Sequence, residues 1–245
     1  MNKLNIIRLF ILSNVLVSSL ISSIQALSLE PKDISNVDLT SLIQETQEVE
    51  ADNGFSFIWW IPQEYWKTAL STDSSLSSTQ TAELLNLLEP YFMLAVAQGE
   101  SSSIGAMRFY SLEQVRQNLT FYYEDANGEQ KILTPTTTLS PDVELLQNSL
   151  KPILEQTVGN FGQNIHFFTF EDRDSQGTRQ ISPYEKGTIK VRLSSDNQTM
   201  DNNFAIDLPL NSLYVPRICP NGKEADISWQ YCPWDGTKLE EITTN

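Results

Sequence analysis

Two cysteines near the C-terminus carry most of the chemistry that this sequence offers. Cys219 lies in Cys219-Pro220-Asn221-Gly222, and Cys232 lies in Cys232-Pro233-Trp234-Asp235-Gly236. A disulfide between them would close a loop of about 14 residues and stabilise the fold by about 3 kcal/mol on the chain-entropy model. Free thiols are a further alternative, but they persist poorly in oxidising compartments. A disulfide is therefore the first prediction for this pair.

The same two turns resemble the knuckles of a zinc ribbon, in which each Cys-Pro-x-Cys-Gly turn supplies two thiolates to a tetrahedral metal. Each turn here keeps one cysteine, and Asp235 stands where the second turn would have its second thiol. Two thiolates and one carboxylate, with a water, would form an open and weak zinc site. Zinc held by Cys219, Cys232 and Asp235 is the alternative to the disulfide. Either arrangement folds a short C-terminal hairpin onto the main domain.

His166 is the only histidine, and thus the only candidate for a neutral-pH base of ordinary pKa. On a strand it would share a face with Phe168 and Phe170, which is typical of a partly buried imidazole bonded to a neighbour. The sequence has no Gly-x-Ser-x-Gly nucleophile motif, and neither cysteine stands in a cysteine-hydrolase motif. We therefore predict no catalytic residue and keep His166 as the one candidate to test.

Three of the five tryptophans, Trp59, Trp60 and Trp66, lie within a short aromatic segment that also contains Glu64. Such a segment is typical of a core strand that turns into a helix, with alternate rings buried against a sheet. The alternative is a ligand platform, in which flat rings beside a carboxylate hold a sugar or a peptide. We favour the core interpretation.

The acids offer no further motif. Asp172-Arg173-Asp174 places acids at alternate positions, as a calcium loop does, but Pro183 stands where that loop needs its bidentate glutamate. A turn between strands explains this segment better.

The charge balance excludes polyanionic partners. The 245 residues contain 16 bases and 31 acids, for a formal charge of −15. Binding to nucleic acid or to an anionic membrane surface requires a positive face, so we expect neither. With 40% hydrophobic residues the chain is long and apolar enough to fold around a core.

Residues 1–26 have the pattern of a secretory signal peptide. Lys3 and Arg8 form a basic start, an apolar stretch follows, and Ala26 provides a small residue for cleavage. The alternative is an uncleaved membrane anchor, although polar residues interrupt the apolar stretch. Cleavage would leave a mature chain with charge −17, because it removes two bases and no acid. We expect an exported protein, periplasmic or secreted, with no membrane span after cleavage.

Residues 27–52 contain seven acids, one base and no aromatic residue, so we predict an acidic flexible arm. Beyond it, helix starts are predicted at Pro62, at the capping boxes Ser77–Gln80 and Ser111–Gln114, and at Ser140-Pro141. Strands are predicted at 91–97, 104–110, 121–124, 131–133, 166–170, 188–193 and 204–208. Paired strands separated by helices predict an α+β domain on a mainly antiparallel sheet, with three or four packed helices.

Several motifs together resemble a family of exported bacterial proteins of uncharacterised function. They are Trp60-Ile61-Pro62-x-Glu64-Tyr65-Trp66, Gly162-Gln163-Asn164-x-His166-Phe167-Phe168, Cys219-Pro220 and Trp229-x-Tyr231-Cys232-Pro233-Trp234-Asp235-Gly236. The resemblance would cover about Phe55 to Leu239, and it implies an envelope location with the cysteine tail as part of the protein. It implies no reaction, ligand or partner.

The domain organisation expected from these patterns is a signal peptide at 1–26, the acidic arm at 27–52, an α+β domain at 53–215 and the cysteine tail at 216–245. The function that we predict is non-enzymatic binding of an unknown protein or envelope component, without a cofactor. The alternative is a hydrolase or a metal-dependent enzyme that uses His166 or the pair Cys219 and Cys232.

Overall fold

The structure is a computed structural model that describes residues 29–51, 54–102, 104–194 and 202–239. The predicted signal peptide at 1–26 lies outside the described residues. The described chain forms five α-helices and eleven β-strands, and every strand pairing between them is antiparallel. The α+β class with a mainly antiparallel sheet is therefore confirmed.

The helices are α1 (Leu39–Thr46), α2 (Gln63–Thr72), α3 (Ser78–Leu88), α4 (Leu112–Asn118) and α5 (Pro141–Val158). The strands are β1 (Gln47–Glu50), β2 (Phe55–Ile61), β3 (Tyr91–Ser101), β4 (Met107–Phe109), β5 (Leu119–Asp125), β6 (Gln130–Ile132), β7 (His166–Glu171), β8 (Gly187–Leu193), β9 (Asn202–Leu208), β10 (Arg217–Ile218) and β11 (Glu224–Ala225).

Two sheets form the body of the molecule. In the first, β1, β2 and β3 lie side by side, and the far edge of β3 pairs with β7 along one half and with β4 along the other. In the second, the strand order is β6-β5-β8-β9. The short hairpin of β10 and β11 stands apart from both sheets. The sequence predicted one sheet, because strand pairing between distant segments leaves no local signal.

The two sheets pack against each other around the larger core. Alternate residues of β2 and β3 point towards the second sheet, among them Trp60 and Leu94, and they meet Phe121 of β5 and Val191 of β8. Phe92, Phe121 and Phe170 pack together at ring-centroid distances between 4.8 and 5.9 Å, with Phe92 and Phe170 stacked and Phe121 tilted against both. Large aromatic rings with this much contact area dominate the burial of apolar surface in such a core.

The other face of the first sheet is covered by helices, which form a second core. Trp59 and Met93 point to this side and pack with Trp66 of α2, Leu88 of α3 and Val143 of α5. Strands β2 and β3 are thus buried on both faces, as the continuous apolar stretch at 91–97 predicts. The molecule has three layers: helices, the five-stranded sheet and the four-stranded sheet.

Local capping signals locate the helix starts correctly. Ser77 and Gln80 form a capping box at α3, and Ser111 and Gln114 form another at α4. The hairpin between β5 and β6 turns at Gly128, whose φ of 82° lies in the left-handed region that glycine favours.

The prediction of a strand at 104–110 is only partly right. The residues Gly99 to Ser101, which lie between the two predicted strands, continue β3 and pair with β4. The turn comes later, where the N–H of Ser102 donates to the carbonyl of Ala106 and Gly105 has a φ of 80°. The strand therefore begins only at Met107.

The prediction of a flexible arm at 27–52 is wrong for the described residues of that segment. Leu42 of α1 is fully buried in the larger core, and β1 adds an edge strand to the first sheet. The Glu45 carboxylate accepts the backbone N–H of Ser212 at 2.9 Å, and Pro31 forms a bridge with Tyr214. A few well-placed apolar residues are enough to anchor an otherwise acidic segment.

Within the described ranges, no helix combines the length and the apolar character needed to cross a membrane.

Candidate functional site

The C-terminal tail, residues 216–239, consists of two tight turns that each begin at a cysteine. In the first turn the N–H of Cys219 donates to the carbonyl of Lys223 at 2.9 Å, within the hairpin of β10 and β11. In the second, the N–H of Cys232 donates to the carbonyl of Thr237 at 2.8 Å, next to a bridge between Tyr231 and Lys238. The tail therefore contains two hydrogen-bonded turns that begin at cysteines, and their resemblance to zinc-ribbon knuckles stays a prediction.

The two thiols lie together inside the tail. Cys219 and Cys232 are 2% and 1% exposed and pack with Ala225 and Leu239. Burial, followed by the hydrogen bond with Cys232, raises the pKa of Cys219 to about 11. Both cysteines are free thiols here. The structure thus brings the predicted partners into contact without a covalent bond, and the disulfide stays a prediction.

The third side chain of the zinc alternative, Asp235, lies beside the thiol pair. The Asp235 carboxylate accepts the backbone N–H of Thr237 at 2.9 Å, and this bond, with one from the Cys232 thiol, lowers the pKa of Asp235. Across the described part of the chain, no three His, Cys, Asp or Glu side chains are arranged to hold a metal ion. Cys219, Cys232 and Asp235 thus adjoin one another without forming a metal-binding arrangement, and zinc binding stays a hypothesis.

Arg217 joins the two turns from inside the tail. Its buried guanidinium donates from Nη1 to the carbonyl of Trp229 and from Nη2 to the carbonyl of Leu239 at 3.0 Å. Ile227 connects the tail to the body, because its side chain belongs to the larger core and its N–H donates to Asn211 Oδ1 at 2.9 Å. The tail is consequently a fixed part of the fold.

The outside of the tail is aromatic. Four of its large apolar side chains are exposed, and we call them the tail aromatic surface: Ile218 (55%), Trp229 (42%), Tyr231 (57%) and Trp234 (49%). Elsewhere in the described chain the large exposed apolar side chains are aliphatic, so the three most exposed aromatic residues all lie here. Burying large rings is strongly favourable, so these four side chains are the candidate contact residues of the tail.

The two exposed tryptophan rings adjoin each other and are held in place. The ring centroids of Trp229 and Trp234 are 6.5 Å apart, with an angle of 68° between the planes. Lys223 Nζ lies 4.8 Å from the centroid of Trp234, a cation–π contact that fixes one face of that ring. The N–H of Trp229 donates to the carbonyl of Asp226 at 3.1 Å, so its backbone is fixed by a turn. Both rings are carried by hydrogen-bonded turns, since the N–H of Gly236 also donates to the carbonyl of Cys232 at 2.9 Å.

His166 lies at the start of β7 and is partly buried. Its Nε2 is 3.1 Å from the carbonyl oxygen of Tyr110, which can only accept a hydrogen bond, so Nε2 carries the proton. As predicted, His166 shares a strand face with Phe168 and Phe170. Both phenylalanines point into the larger core. Because Nε2 donates to the backbone carbonyl of Tyr110, this nitrogen does not act as a general base here.

The ligand-platform interpretation of Trp59, Trp60 and Trp66 is wrong, because all three rings are buried. Trp60 belongs to the core between the sheets, whereas Trp59 and Trp66 belong to the core under the helices. Trp59 and Trp66 each meet Tyr65 edge to face, at centroid distances of 5.0 and 4.9 Å. The rings therefore stabilise the fold and present no open face to a ligand.

Sequence reasoning missed a buried cluster of charges formed by Glu64, Asp172 and Arg179. Arg179 donates from Nη1 and Nη2 to the two Glu64 oxygens, at 2.8 and 2.9 Å, and from Nε to Asp172 Oδ1 at 3.1 Å. Burial raises the pKa of Asp172 despite the nearby Arg179. The predicted turn does exist at Asp174–Gly177, where Gly177 has a φ of 80°. The only local sign of this cluster in the sequence is that an acidic residue, Asp172, directly follows the apolar strand β7.

A groove of about 790 Å³ lies between α4, α5 and the edges of both sheets. Its floor contains Phe121 and Phe168, and its rim carries one base, Arg116, and one acid, Glu144. Neither His166 nor a cysteine lines it. The groove and the candidate chemical groups are therefore separate.

Comparisons of the chain with protein-family models, with curated proteins and with solved structures found no match.

Proposed function

We propose that this protein is an exported binding protein that contacts its partner through the tail aromatic surface. Export rests on the signal-like pattern of residues 1–26. The observation that carries the binding role is the concentration of Trp229, Tyr231 and Trp234 on one small rigid module. Trp and Tyr are the residues that most often dominate binding energy at interfaces.

The proposed disulfide between Cys219 and Cys232 would serve this role by holding the two turns together in an oxidising compartment. The contact already present between the thiols means that bond formation requires little rearrangement. Binding surfaces gain affinity when they are rigid before the partner arrives, because less conformational entropy is lost on binding. A closed tail would therefore bind more tightly than an open one.

The alternative from the sequence, a hydrolase or metal-dependent enzyme, has less support. The His166 Nε2 faces a backbone carbonyl, and both cysteines are enclosed within the tail. A nucleophile must be reachable by its substrate and must lie within hydrogen-bond reach of its base. No observation in the described part of the chain favours that arrangement.

Site-specific photo-crosslinking in the native cell envelope tests the binding role. A photoreactive phenylalanine analogue replaces Tyr231 in one variant and Ile132, which is 72% exposed on the second sheet, in the matched control. We expect a discrete crosslinked species from position 231, absent from position 132, that disappears when Trp229→Ala and Trp234→Ala are added. Equal crosslinking from both positions, or none from position 231, would overturn the proposal.

A further inference from the structure

We propose that two copies of this protein associate through the free edge of β9, so that their four-stranded sheets join into one continuous antiparallel sheet. The inference goes beyond the proposed function and does not depend on it, because β9 contains no residue of the tail aromatic surface. Three features carry it: an edge without the usual protection, the direction of its backbone groups and the self-complementary order of its side chains.

The outer edge of β9 is the long strand edge that the described residues leave open. β9 has seven residues in continuous register with β8, without a bulge or an internal proline, and no described residue pairs with its other side. The other free edges are short, with four residues in β1, three in β4 and β6, and two in β10 and β11. The edge of β7 is covered, because Thr136 and Gln180 donate to the carbonyls of Thr169 and Glu171. Proteins normally blunt or cover a long edge, so an open one is suited to pairing with another strand.

The register shows which backbone groups of β9 face outwards. The N–H of Ser194 donates to the carbonyl of Asn118, in register with the pairing of β8 and β5. Backbone groups alternate in direction along an antiparallel strand, so the odd-numbered residues of β8 turn theirs towards β9. They oppose the even-numbered residues of β9, which leaves the N–H and C=O groups of Asn203, Ala205 and Asp207 on the open side.

This edge is accessible to a second strand. A groove of about 400 Å³ lies between β9 and β1, with Val49 on one wall and Ala205 on the other. β1 pairs with β2 and not with β9, so the first sheet leaves the backbone groups of β9 free. The side chains of Asn203, Ala205 and Asp207 are exposed as well.

The order of the side chains favours a second copy of β9 as the occupant. In a twofold antiparallel pair centred on Ala205, this residue faces its own copy and Asn203 faces Asp207 of the other copy. All three outward-facing residues then lie in pairs that exchange two backbone hydrogen bonds each. The small side chain of Ala205 permits close approach at the axis, and an amide opposite a carboxylate is a favourable cross-strand pair. Centring the pair on Asp207 instead would set two carboxylates against each other.

An unrelated strand would find the same backbone groups but little to recognise. Specificity in strand addition comes from pockets that take alternate side chains of the added strand. The exposed face of β9 carries only the short side chains of Asn203, Ala205 and Asp207. The self-complementary order therefore selects a second copy over an unrelated strand.

Sedimentation equilibrium of the mature protein measures the association. The buffer contains about 0.5 M sodium chloride, which screens the repulsion between two acidic copies. We expect a monomer–dimer equilibrium in the micromolar range, because pairing along one strand edge makes a small interface. Ala205→Pro should weaken dimerisation at least about tenfold, because it removes an outward N–H that the pairing with β8 does not use. Ala205→Lys should weaken it as well, since two ammonium groups would meet at the axis.

The matched control is Ile132→Lys, which places a lysine at an exposed position on the free edge of β6 and should leave the equilibrium unchanged. A protein that stays monomeric up to about 1 mM overturns the inference. Dimerisation that survives both Ala205→Pro and Ala205→Lys overturns it too, because the dimer would then use another surface.

Cysteine crosslinking tests the register. Ala205→Cys should form an interchain disulfide under mild oxidation, and an equimolar mixture of Asn203→Cys and Asp207→Cys should form a mixed one. Asn203→Cys alone should not crosslink, because its copy lies several residues away along the seam. The native cysteines are buried and stay out of reach. Equal crosslinking of Asn203→Cys and Ala205→Cys would contradict the register, and crosslinking of a photoreactive residue at position 205 only to a different protein would show that an unrelated strand occupies the edge.

Discussion

Arg179 and Glu64 form a two-point ion pair, with Nη1–Oε1 and Nη2–Oε2 distances of 2.8 and 2.9 Å, although 115 positions separate them in the chain. Glu64 lies in the first turn of α2, and its side chain is almost fully buried. Asp172 binds the same guanidinium through Arg179 Nε. One cation thus links a helix over the first sheet to the turn that follows β7.

Replacing Arg179 with methionine should destabilise the protein by about 3–5 kcal/mol, because two buried carboxylates would lose their shared cation. The measurement is the free energy of unfolding in urea. The control is Arg116→Met, which breaks an exposed pair with Glu113 at 3.4 Å and should cost less than about 1 kcal/mol. Equal losses in the two variants would show that the buried cluster contributes nothing special.

Asp172 should make stability depend on pH in the mildly acidic range. Burial raises its pKa above 3.8 in the folded state, against the opposing effect of Arg179, while Glu64 adds to the rise. The folded protein therefore holds this proton more tightly than the unfolded chain does. The stabilising contribution is fully present below about pH 3.9 and is lost as the pH rises through the folded-state pKa.

The Asp172→Asn variant should consequently gain stability relative to wild type as the pH rises from about 4 to 7. Asp73→Asn is the control of opposite sign, because the hydrogen bonds from Ser75 lower the pKa of Asp73. That variant should lose stability relative to wild type as the pH rises from about 2 to 5, because the unfolded carboxyl titrates near pH 3.9 and the folded one below it. Urea unfolding at several pH values measures both, and a constant difference between Asp172→Asn and wild type would contradict the assignment.

The sequence located those features of the fold that depend on neighbours in the chain. The capping boxes at Ser77 and Ser111 and the turn at Gly128 act within a few residues, so their signals are local. The long apolar run at 91–97 likewise predicts a strand buried on both faces. The separation into two sheets left no such signal, because it depends on which distant strands pair.

The candidate site also has features that the sequence indicates and features that it does not. The two cysteines could be paired from the sequence because their turns are alike and the sequence contains no other cysteine. The exposure of Trp229 and Trp234 could not be read, since the same residue type is buried at Trp60. Composition alone also misjudged residues 27–52, where one fully buried leucine, Leu42, outweighs the acids around it.

His166→Ala should destabilise the protein by about 1–3 kcal/mol, because the carbonyl of Tyr110 loses the hydrogen bond from Nε2 and the larger core loses contacts at its margin. His166→Gln, which can donate to the same carbonyl, should recover part of this loss. Thermal unfolding measures both variants. A hydrolytic activity of the wild type that disappears in His166→Ala at unchanged stability would instead support the enzyme alternative.

The cysteine pair should be oxidised in the exported protein. Denaturation without reductant followed by alkylation should then add no label, whereas prior reduction should add two. In the reduced folded protein, alkylation should be slow, because burial and the raised pKa of Cys219, about 11, keep that thiol protonated. Double substitution with serine should cost about 3 kcal/mol relative to the oxidised form. Labelling of both cysteines without reductant would contradict the disulfide.

Arg217→Lys should loosen the tail while it leaves the body intact. The guanidinium donates to the carbonyls of Trp229 and Leu239 at once, and a lysine ammonium on a flexible stem does not reproduce that geometry. An unsatisfied buried carbonyl costs about 1–3 kcal/mol, so local opening should become about tenfold more frequent or greater. Amide hydrogen exchange at Cys232 and Leu239, whose N–H groups donate to Thr237 and Gln230, measures that opening. Exchange in β2 and β3 should stay unchanged, because Arg217 is part of neither sheet.

Lys223→Met is the matched control, since it removes a charge from the outside of the same hairpin and should alter only the surroundings of Trp234. Faster exchange throughout the chain would show that Arg217 supports the whole fold, and unchanged exchange in the tail would show that other contacts hold the two turns.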